Sequence, residues 1–452
     1  MNSGFLEEYK EYCAEFGTPD RIELMLGDIN SILRGKWLPG DHPEKLAGGS
    51  VRLPLSTYAP NILGEEVNET GFGSAAGDPD GTLVAIPGTL RPVPWVEGNV
   101  AQVQVGMVDE EDPSGEISIL DPRKQLENVL KRFAERGLRP VVATELEFYI
   151  IQPRESETEA PMPPDRLPVA QNYDLEALGR FEDILSEILD VAKEQGMATD
   201  TLIAEYGPGQ FEVNFHHTED VLDAGDTAMM FRRLVRGVVG SHGLEATFMA
   251  KPYADQPGNG MHIHASLIDE DGNNVFSGDS ETELSENMWC AISGVLHTMR
   301  EMQAIFAPHM NSYRRFQPGN FSPSSANWGY DHRGASIRLP DTMGKGARLE
   351  HRICGADVNP YLALAAVLGG ILYGLDHKPD LPLPVDHPDA VEGAPLTHDW
   401  ITSVQAFEAS DFAKYLFGDV FCKVYTEVRK NEIGILTTVI THEEYRAYLG
   451  RL

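Results

Sequence analysis

Apolar positions along the chain follow two rhythms, one of period 3.6 and one of period 2, and the two alternate from residue 121 onward. Asp121 is a capping residue, Pro122 suits a first helical position, and Leu126, Val129, Leu130 and Phe133 recur at helical spacing until Gly137. The same spacing predicts helices over Asp174–Gln195, with Leu178, Phe181, Leu185, Ile188 and Leu189 inward, and over Glu219–His242, Glu283–Ile305 and Asn359–His377. Tyr361–Leu375 is the longest apolar run. It is shorter than the roughly 20 residues that a bilayer span needs and ends at Asp376, so it reads as a buried helix.

Between these helices lie segments of period 2, Val141–Ile151, Leu202–Phe215 and Gly260–Ile268, joined by the shorter Arg348–Arg352. The strands cluster in hairpin-like pairs rather than in βαβ units, which predicts an α+β fold over a doubly wound sheet. Residues 1–107 are richer in turns and short strands, with a glycine-rich stretch from Gly64 to Gly81, and form a smaller β-rich unit. The Pro/Gly/acid-rich stretch Val108–Ile119 marks the boundary, dividing the chain into 1–112 and 113–452. Pro153–Pro168 and Lys378–Leu396 read as long irregular loops.

With 452 residues, 42% of them hydrophobic, the chain can bury two cores. Acidic residues outnumber basic ones 70 to 36, giving a formal charge of -34, which argues against nucleic acid as a partner because phosphate binding requires clustered cations. Of the basic residues 24 are Arg and 12 are Lys. A surface poor in Lys and rich in Asp and Glu is expected of a halophilic protein, since concentrated salt screens its self-repulsion. Cys13, Cys290, Cys354 and Cys422 are scattered, so neither a disulfide framework nor a sulfur-bound zinc is expected. Charged residues throughout the first 30 positions leave no apolar core for a secretory signal, and a cytoplasmic enzyme with no membrane partner is expected.

The chemistry lies on the polar faces of the predicted strands. Alternation places Glu145 and Glu147 on one face with Leu146, Phe148 and Ile150 on the other. Glu205 precedes the turn Gly207-Pro208-Gly209 and Glu212 follows it, while His262, His264 and Ser266 share a face, as do Arg348, Glu350 and Arg352. Each pair alone fits a solvated strand face. If all line one cavity, however, five glutamates cannot stay ionised together without cations, and bound metal is the economical solution. Oxygen-rich sites with an imidazole suit Mg²⁺ or Mn²⁺. His262-x-His264 is also compatible with zinc, although nothing supplies further soft ligands.

Arg314, Arg315, Arg333, Arg338, Arg348 and Arg352, a quarter of all arginines, fall in one short segment. Guanidinium forks match carboxylate and phosphate oxygens and neutralise charge at a transferring phosphoryl group, or they pair with the protein's own surplus of acid. Neither Gly258-Asn259-Gly260 nor Gly344-Lys345-Gly346 opens a helix of a βαβ unit, and GxxxxGK[ST] is absent, so no P-loop or Rossmann site is expected.

In order along the chain, Glu145-Leu-Glu147-Phe, Glu205-Tyr-Gly-Pro-Gly-Gln-Phe-Glu212, Gly260-Met-His262-Ile-His264, Asn311-Ser-Tyr-Arg-Arg315, Arg348-Leu-Glu350-His-Arg352 and Asn359-Pro-Tyr361 resemble the glutamine synthetase family. The resemblance implies a β-grasp domain followed by a larger catalytic domain of antiparallel sheet and helices. It also implies a homo-oligomer, a dodecamer of two stacked hexameric rings with active sites between subunits. The implied reaction is an ATP-dependent ligation at the γ-carboxylate of L-glutamate through γ-glutamyl phosphate.

Residue by residue, the resemblance implies that Glu147, Glu205 and Glu212 hold one divalent ion and Glu145, His262 and Glu350 another. Arg315 and Arg352, with Gly258, would bind glutamate, Lys345 and Arg348 would face the nucleotide, and Arg333 and Arg338 would stabilise the transferred phosphoryl group.

Two departures bear on the acceptor. Ammonia-using members carry a glutamate two residues beyond Pro-Gly, where this chain has Phe321 in Pro318-Gly319-Asn320-Phe321. Their Asp-Gly-Ser-Ser loop is replaced by Leu53-Pro-Leu-Ser-Thr-Tyr-Ala-Pro. Pro257 also stands where the family often has Asn. An aromatic wall at Phe321 suits the methylene chain of an alkylamine better than a small hydrated cation. Phe248–Gln256, Phe306–Pro318 and Gly88–Trp95 are similar to the γ-glutamylpolyamine synthetase branch, which implies a polyamine such as putrescine. Other readings are an ammonia-using glutamine synthetase, and a non-catalytic ring-forming relative, against which the complete set of carboxylates argues.

The charge balance generates the first expected outcome. Melting temperature should rise with KCl concentration into the molar range; greatest stability in low salt would contradict adaptation to concentrated salt.

Overall fold

A computed structural model of the chain describes residues 3–109, 113–164, 167, 170–317 and 322–452. The alternating segment around Glu145 and Glu147 forms the strand Arg139–Ile151, the centre of an eight-stranded sheet. Glu245–Thr247 pairs antiparallel with the end of this central strand; on one side lie Gln210–Phe215 and then Thr199–Ala204, and on the other Met261–Ile268, Arg348–His351, Ile337–Asp341 and Trp328–Tyr330. All of these pairings are antiparallel except that of the last two strands. The expected α+β class is therefore the observed one.

The apolar face of the sheet is closed by an aromatic cluster. Phe148 meets Phe211 at 6.1 Å and Phe248 at 5.5 Å, and Phe215 stands edge-on to Phe231 at 5.1 Å. Phe231 belongs to the helix Val221–Ser241, capped by Asp220, whose side chain accepts from the Asp223 amide. This packing fixes the strands from behind, so their other face can carry charge. The helix Pro360–His377, whose cap Asn359 accepts from the amides of Tyr361 and Leu362, is buried along most of its length. No helix among the described residues is long and apolar enough to cross a membrane.

Two predicted helices are interrupted. Asp174–Gln195 divides into Leu175–Arg180 and Glu182–Glu194 because Phe181 leaves helical geometry and turns its ring edge-on to Phe211 at 5.2 Å. Glu283–Ile305 becomes Glu286–Thr298, started by the Ser285 hydroxyl accepting from the Met288 amide, and a short turn Gln303–Phe306.

The smaller sheet spans residues 21–109 in the strand order Leu33–Pro39, Arg21–Gly27, Val100–Asp109, Asp80–Ala85, Arg52–Pro54, with Arg91–Pro92 paired to Val100–Asp109. Arg21–Gly27 and Val100–Asp109 run parallel. Leu53 and Leu55 of the segment that departs from the family's ammonium loop are buried here, and Tyr58 donates to Asp121 at 2.8 Å. That bond ties the first unit to the cap of the helix Pro122–Ala134. Asn359 also donates to the carbonyl of Asp28, and the Tyr361 hydroxyl bonds Gln104 and Asp226. The two sheets are therefore joined through buried polar contacts as well as apolar packing.

Candidate active site

Cross-strand register assembles the acidic residues. Glu147 stands opposite Glu212, Glu145 opposite His262, and Glu350 between His264 and Arg338. Their side chains open into one cavity of about 700 Å³. Glu145, Glu147, Glu205, Glu212, His262, Glu350, Arg315, Arg333, Arg338, Arg352 and Gly258 all line it. Lys345 and Arg348 do not; Lys345 is on an exposed turn, and Arg348 donates to His264 Nδ1 at 3.2 Å and to the Gly346 carbonyl. Phe321 lies outside the described residues.

Two triads of potential ligand atoms each fall within 4.8 Å: Glu145, His262 and Glu350, and Glu147, Glu212 and His262. The first contains the three residues expected for one ion. In the second, His262 completes a triad with Glu147 and Glu212, whereas Glu205 borders the cavity without belonging to either group.

Burial and mutual repulsion raise some of these carboxyls, while imidazole and guanidinium partners hold others low. Burial pushes Glu147 up to about 7, and the nearby Glu205 charge adds to it, against the Gly260 amide that donates at 2.7 Å. Glu212 is raised well above the usual carboxylate range by burial and by Glu145, Glu147 and Glu205; Glu205 is also raised, chiefly by burial. Burial would likewise raise Glu145, but hydrogen bonds to His262 Nδ1 and His264 Nε2, each 2.9 Å, outweigh it and hold the carboxyl low. Glu350 is held low in the same way, against burial, by Arg352 and neighbouring imidazoles. The oxygen donors plus one imidazole fit a hard divalent ion such as Mg²⁺ or Mn²⁺.

The cationic side of the cavity is equally built. Arg338 bridges Glu350 at 2.8 Å and Asp331, and Arg352 pairs with Glu350. Arg315 is buried and donates to the Ile353 carbonyl at 2.8 Å. A Cβ on Gly258 would stand 2.3 Å from the Ala250 carbonyl and 2.8 Å from Arg315 Cγ, so only glycine fits beside this arginine. Arg352 Nε is buried without a hydrogen-bond partner among the described residues.

Two supporting residues were absent from the expected set. His264 is the second imidazole on Glu145, and the alternation that placed it beside His262 was the available signal. Gln210 Nε2 donates to the Gly258 carbonyl at 3.0 Å and to Asn259 Oδ1 at 3.1 Å, fixing the loop under Arg315. A polar residue inside the short turn between Glu205 and Glu212 was its only sequence mark.

Because Glu147 holds its proton below about pH 7 and a metal needs the carboxylate, Mn²⁺ affinity of the cation-free protein should rise as pH increases through 7, with protons released on binding. The sign for stability is opposite: a raised carboxyl pKa favours the folded state at low pH, so the cation-free protein should lose stability as pH rises from the ordinary carboxylate range to about 7 and recover it with Mn²⁺. Glu212→Gln should weaken Mn²⁺ by at least about tenfold. Calorimetry between pH 6 and 8 checks this, and flat affinity without proton release would contradict it.

With the geometry in place, the relatives of the chain can be named. The family described as "Glutamine synthetase, catalytic domain" matches residues 119–448. The γ-glutamylputrescine synthetase PuuA of Escherichia coli (strain K12) is 37% identical over 450 residues, covering 98% of this chain and 94% of the relative. A glutamine synthetase of Pyrococcus abyssi is 35% identical over 362 residues, covering 80% of this chain and 76% of the relative. The solved structure "Apo GmaS without ligand" superposes with a TM-score of 0.84 at 27% identity, over 97% of this chain and 98% of that one. In sequence and in fold, the chain belongs to the glutamine synthetase family.

Proposed function

We propose that this glutamine synthetase family ligase joins the γ-carboxylate of L-glutamate to an alkylamine, most simply a polyamine such as putrescine, with hydrolysis of ATP to ADP and phosphate. One observation carries the reading: a set of carboxylates that needs cations faces a set of buried guanidinium groups across a single cavity. The γ-carboxylate attacks the terminal phosphorus of ATP and ADP leaves; the amine nitrogen then attacks the acyl carbon, loses a proton, and phosphate leaves. Phosphorylation is required because a carboxylate oxygen is otherwise a poor leaving group.

In this reading Arg315 and Arg352 hold the glutamate carboxylates, and Gly258 lets the substrate approach the loop. Arg333 and Arg338 offset charge on the phosphoryl group in flight. Glu147, Glu205 and Glu212 would hold one divalent ion, and Glu145, His262 and Glu350 the other, supplying Lewis-acid stabilisation of the phosphate oxygens. Lys345 and Arg348, beyond the cavity wall, would meet the nucleotide. The active assembly is a ring-forming homo-oligomer, a dodecamer of two stacked hexamers, in the cytoplasm.

The alkylamine is favoured by the two departures at Phe321 and Leu53–Pro60. It is favoured also by the span of similarity to the putrescine enzyme, which covers 98% of this chain against 80% for the Pyrococcus glutamine synthetase.

Phosphate release across an amine panel, with Mg²⁺ or Mn²⁺ and high salt, tests the acceptor. Putrescine or a longer polyamine should exceed ammonia in kcat/KM, and ammonia exceeding every amine would refute the assignment. Arg333→Ala should lower kcat by about 10²-fold, whereas Arg352→Ala should chiefly raise the KM for glutamate.

A further inference from the structure

The helices Glu286–Thr298, Pro360–His377 and Trp400–Ala409, with Asp411–Phe417, enclose a second cleft of about 610 Å³. It shares no lining residue with the glutamate cavity. Its wall is an aromatic ladder. The rings of His297 and His377 lie nearly parallel to Tyr373, at 5.1 Å and 12° and at 4.1 Å and 14°. Phe412 meets Tyr373 edge-on at 5.5 Å, and Tyr415 extends the wall. The face of Tyr415 already carries one cation, the Arg132 guanidinium 4.6 Å from its centroid.

The permanently charged groups of the cleft are carboxylates. Glu301 and Asp411 place carboxylates on the lining, and no lysine or arginine is among the described residues that line it. His377 Nδ1 donates to the Tyr373 carbonyl 3.0 Å away. Glu301 also accepts from the Ser410 hydroxyl, the cap of Asp411–Phe417, so one side of the cleft is fixed to the other.

We propose that this cleft is a second ligand site, for a primary alkylammonium or polyammonium ion. The apolar wall and the carboxylates recognise such a cation together: the methylenes lie along the wall and the ammonium groups reach Glu301 and Asp411. An anion would meet two carboxylates on a chain of formal charge -34, and an uncharged apolar ligand would desolvate them without compensation. The volume is that of a small-molecule site. The proposal stands apart from the acceptor assigned to the glutamate cavity and would survive its failure.

Equilibrium dialysis of labelled spermidine against the full-length protein, with kcat/KM followed in parallel, tests it. Glu301→Gln combined with Asp411→Asn should weaken one class of spermidine site by about tenfold or more, with kcat/KM unchanged. Tyr373→Ala should do the same, while Tyr373→Phe keeps binding. Unaltered affinity and stoichiometry in the double variant would overturn the proposal. So would equal binding of 1,8-octanediol and 1,8-diaminooctane, or a change in oligomer mass in the double variant, which would mark the cleft as a contact between copies. Should the double variant fold poorly, Asp411→Asn alone against Tyr373→Phe decides on the same readout.

Discussion

Like charges held in one buried place govern this molecule. Five glutamates converge from two adjacent strands, the turn beside them and a third strand, and in a low dielectric their mutual repulsion cannot be relieved by the single buried imidazole that touches both triads. The uneven protonation is the direct signature: Glu147 and Glu212 are pushed up while Glu145 and Glu350, which have cationic or imidazole partners, stay low. Divalent cations, with the arginines, would let all of them ionise together. The cost of assembling such a pocket is sensible only if its charge is used on a polyanion.

The rest of the fold holds that pocket in register. Aromatic packing behind the sheet fixes strand positions, so carboxylates on neighbouring strands cannot move apart to relieve repulsion. The helix Asp419–Leu436 secures the arginine side. Its fully buried Arg429 bonds the Pro308 carbonyl, His309, Glu432 and Asn30, and the turn Met310–Arg315 that presents Arg315 begins immediately after. The smaller sheet is bound into the same network through Asn30 and through Ile62, whose amide donates to Glu432. Segments distant in sequence thus support one guanidinium.

What was legible in the chain was what strand alternation determines. A period of 2 puts Glu145 with Glu147 and His262 with His264 whatever their partners are, and helix caps such as Asp121 and Asn359 are local signals. Register is not local. That Glu147 lies opposite Glu212, and that His262 closes a triad with both where Glu205 was expected, depends on how strands pair and how the turn at Gly207–Gly209 carries Glu205 aside. The break at Phe181 also escaped the periodicity, because it answers to a ring on another strand. Arg348 shares a strand face with Glu350 but turns toward His264, and only the tertiary contact decides that.

Anomalous diffraction from crystals grown with Mn²⁺ tests most directly whether the two acidic triads hold metal. Two manganese peaks should appear in each active site, one among Glu145, His262 and Glu350 and one beside Glu147 and Glu212. A cavity without manganese, or ions bound only at surface carboxylates, would contradict it.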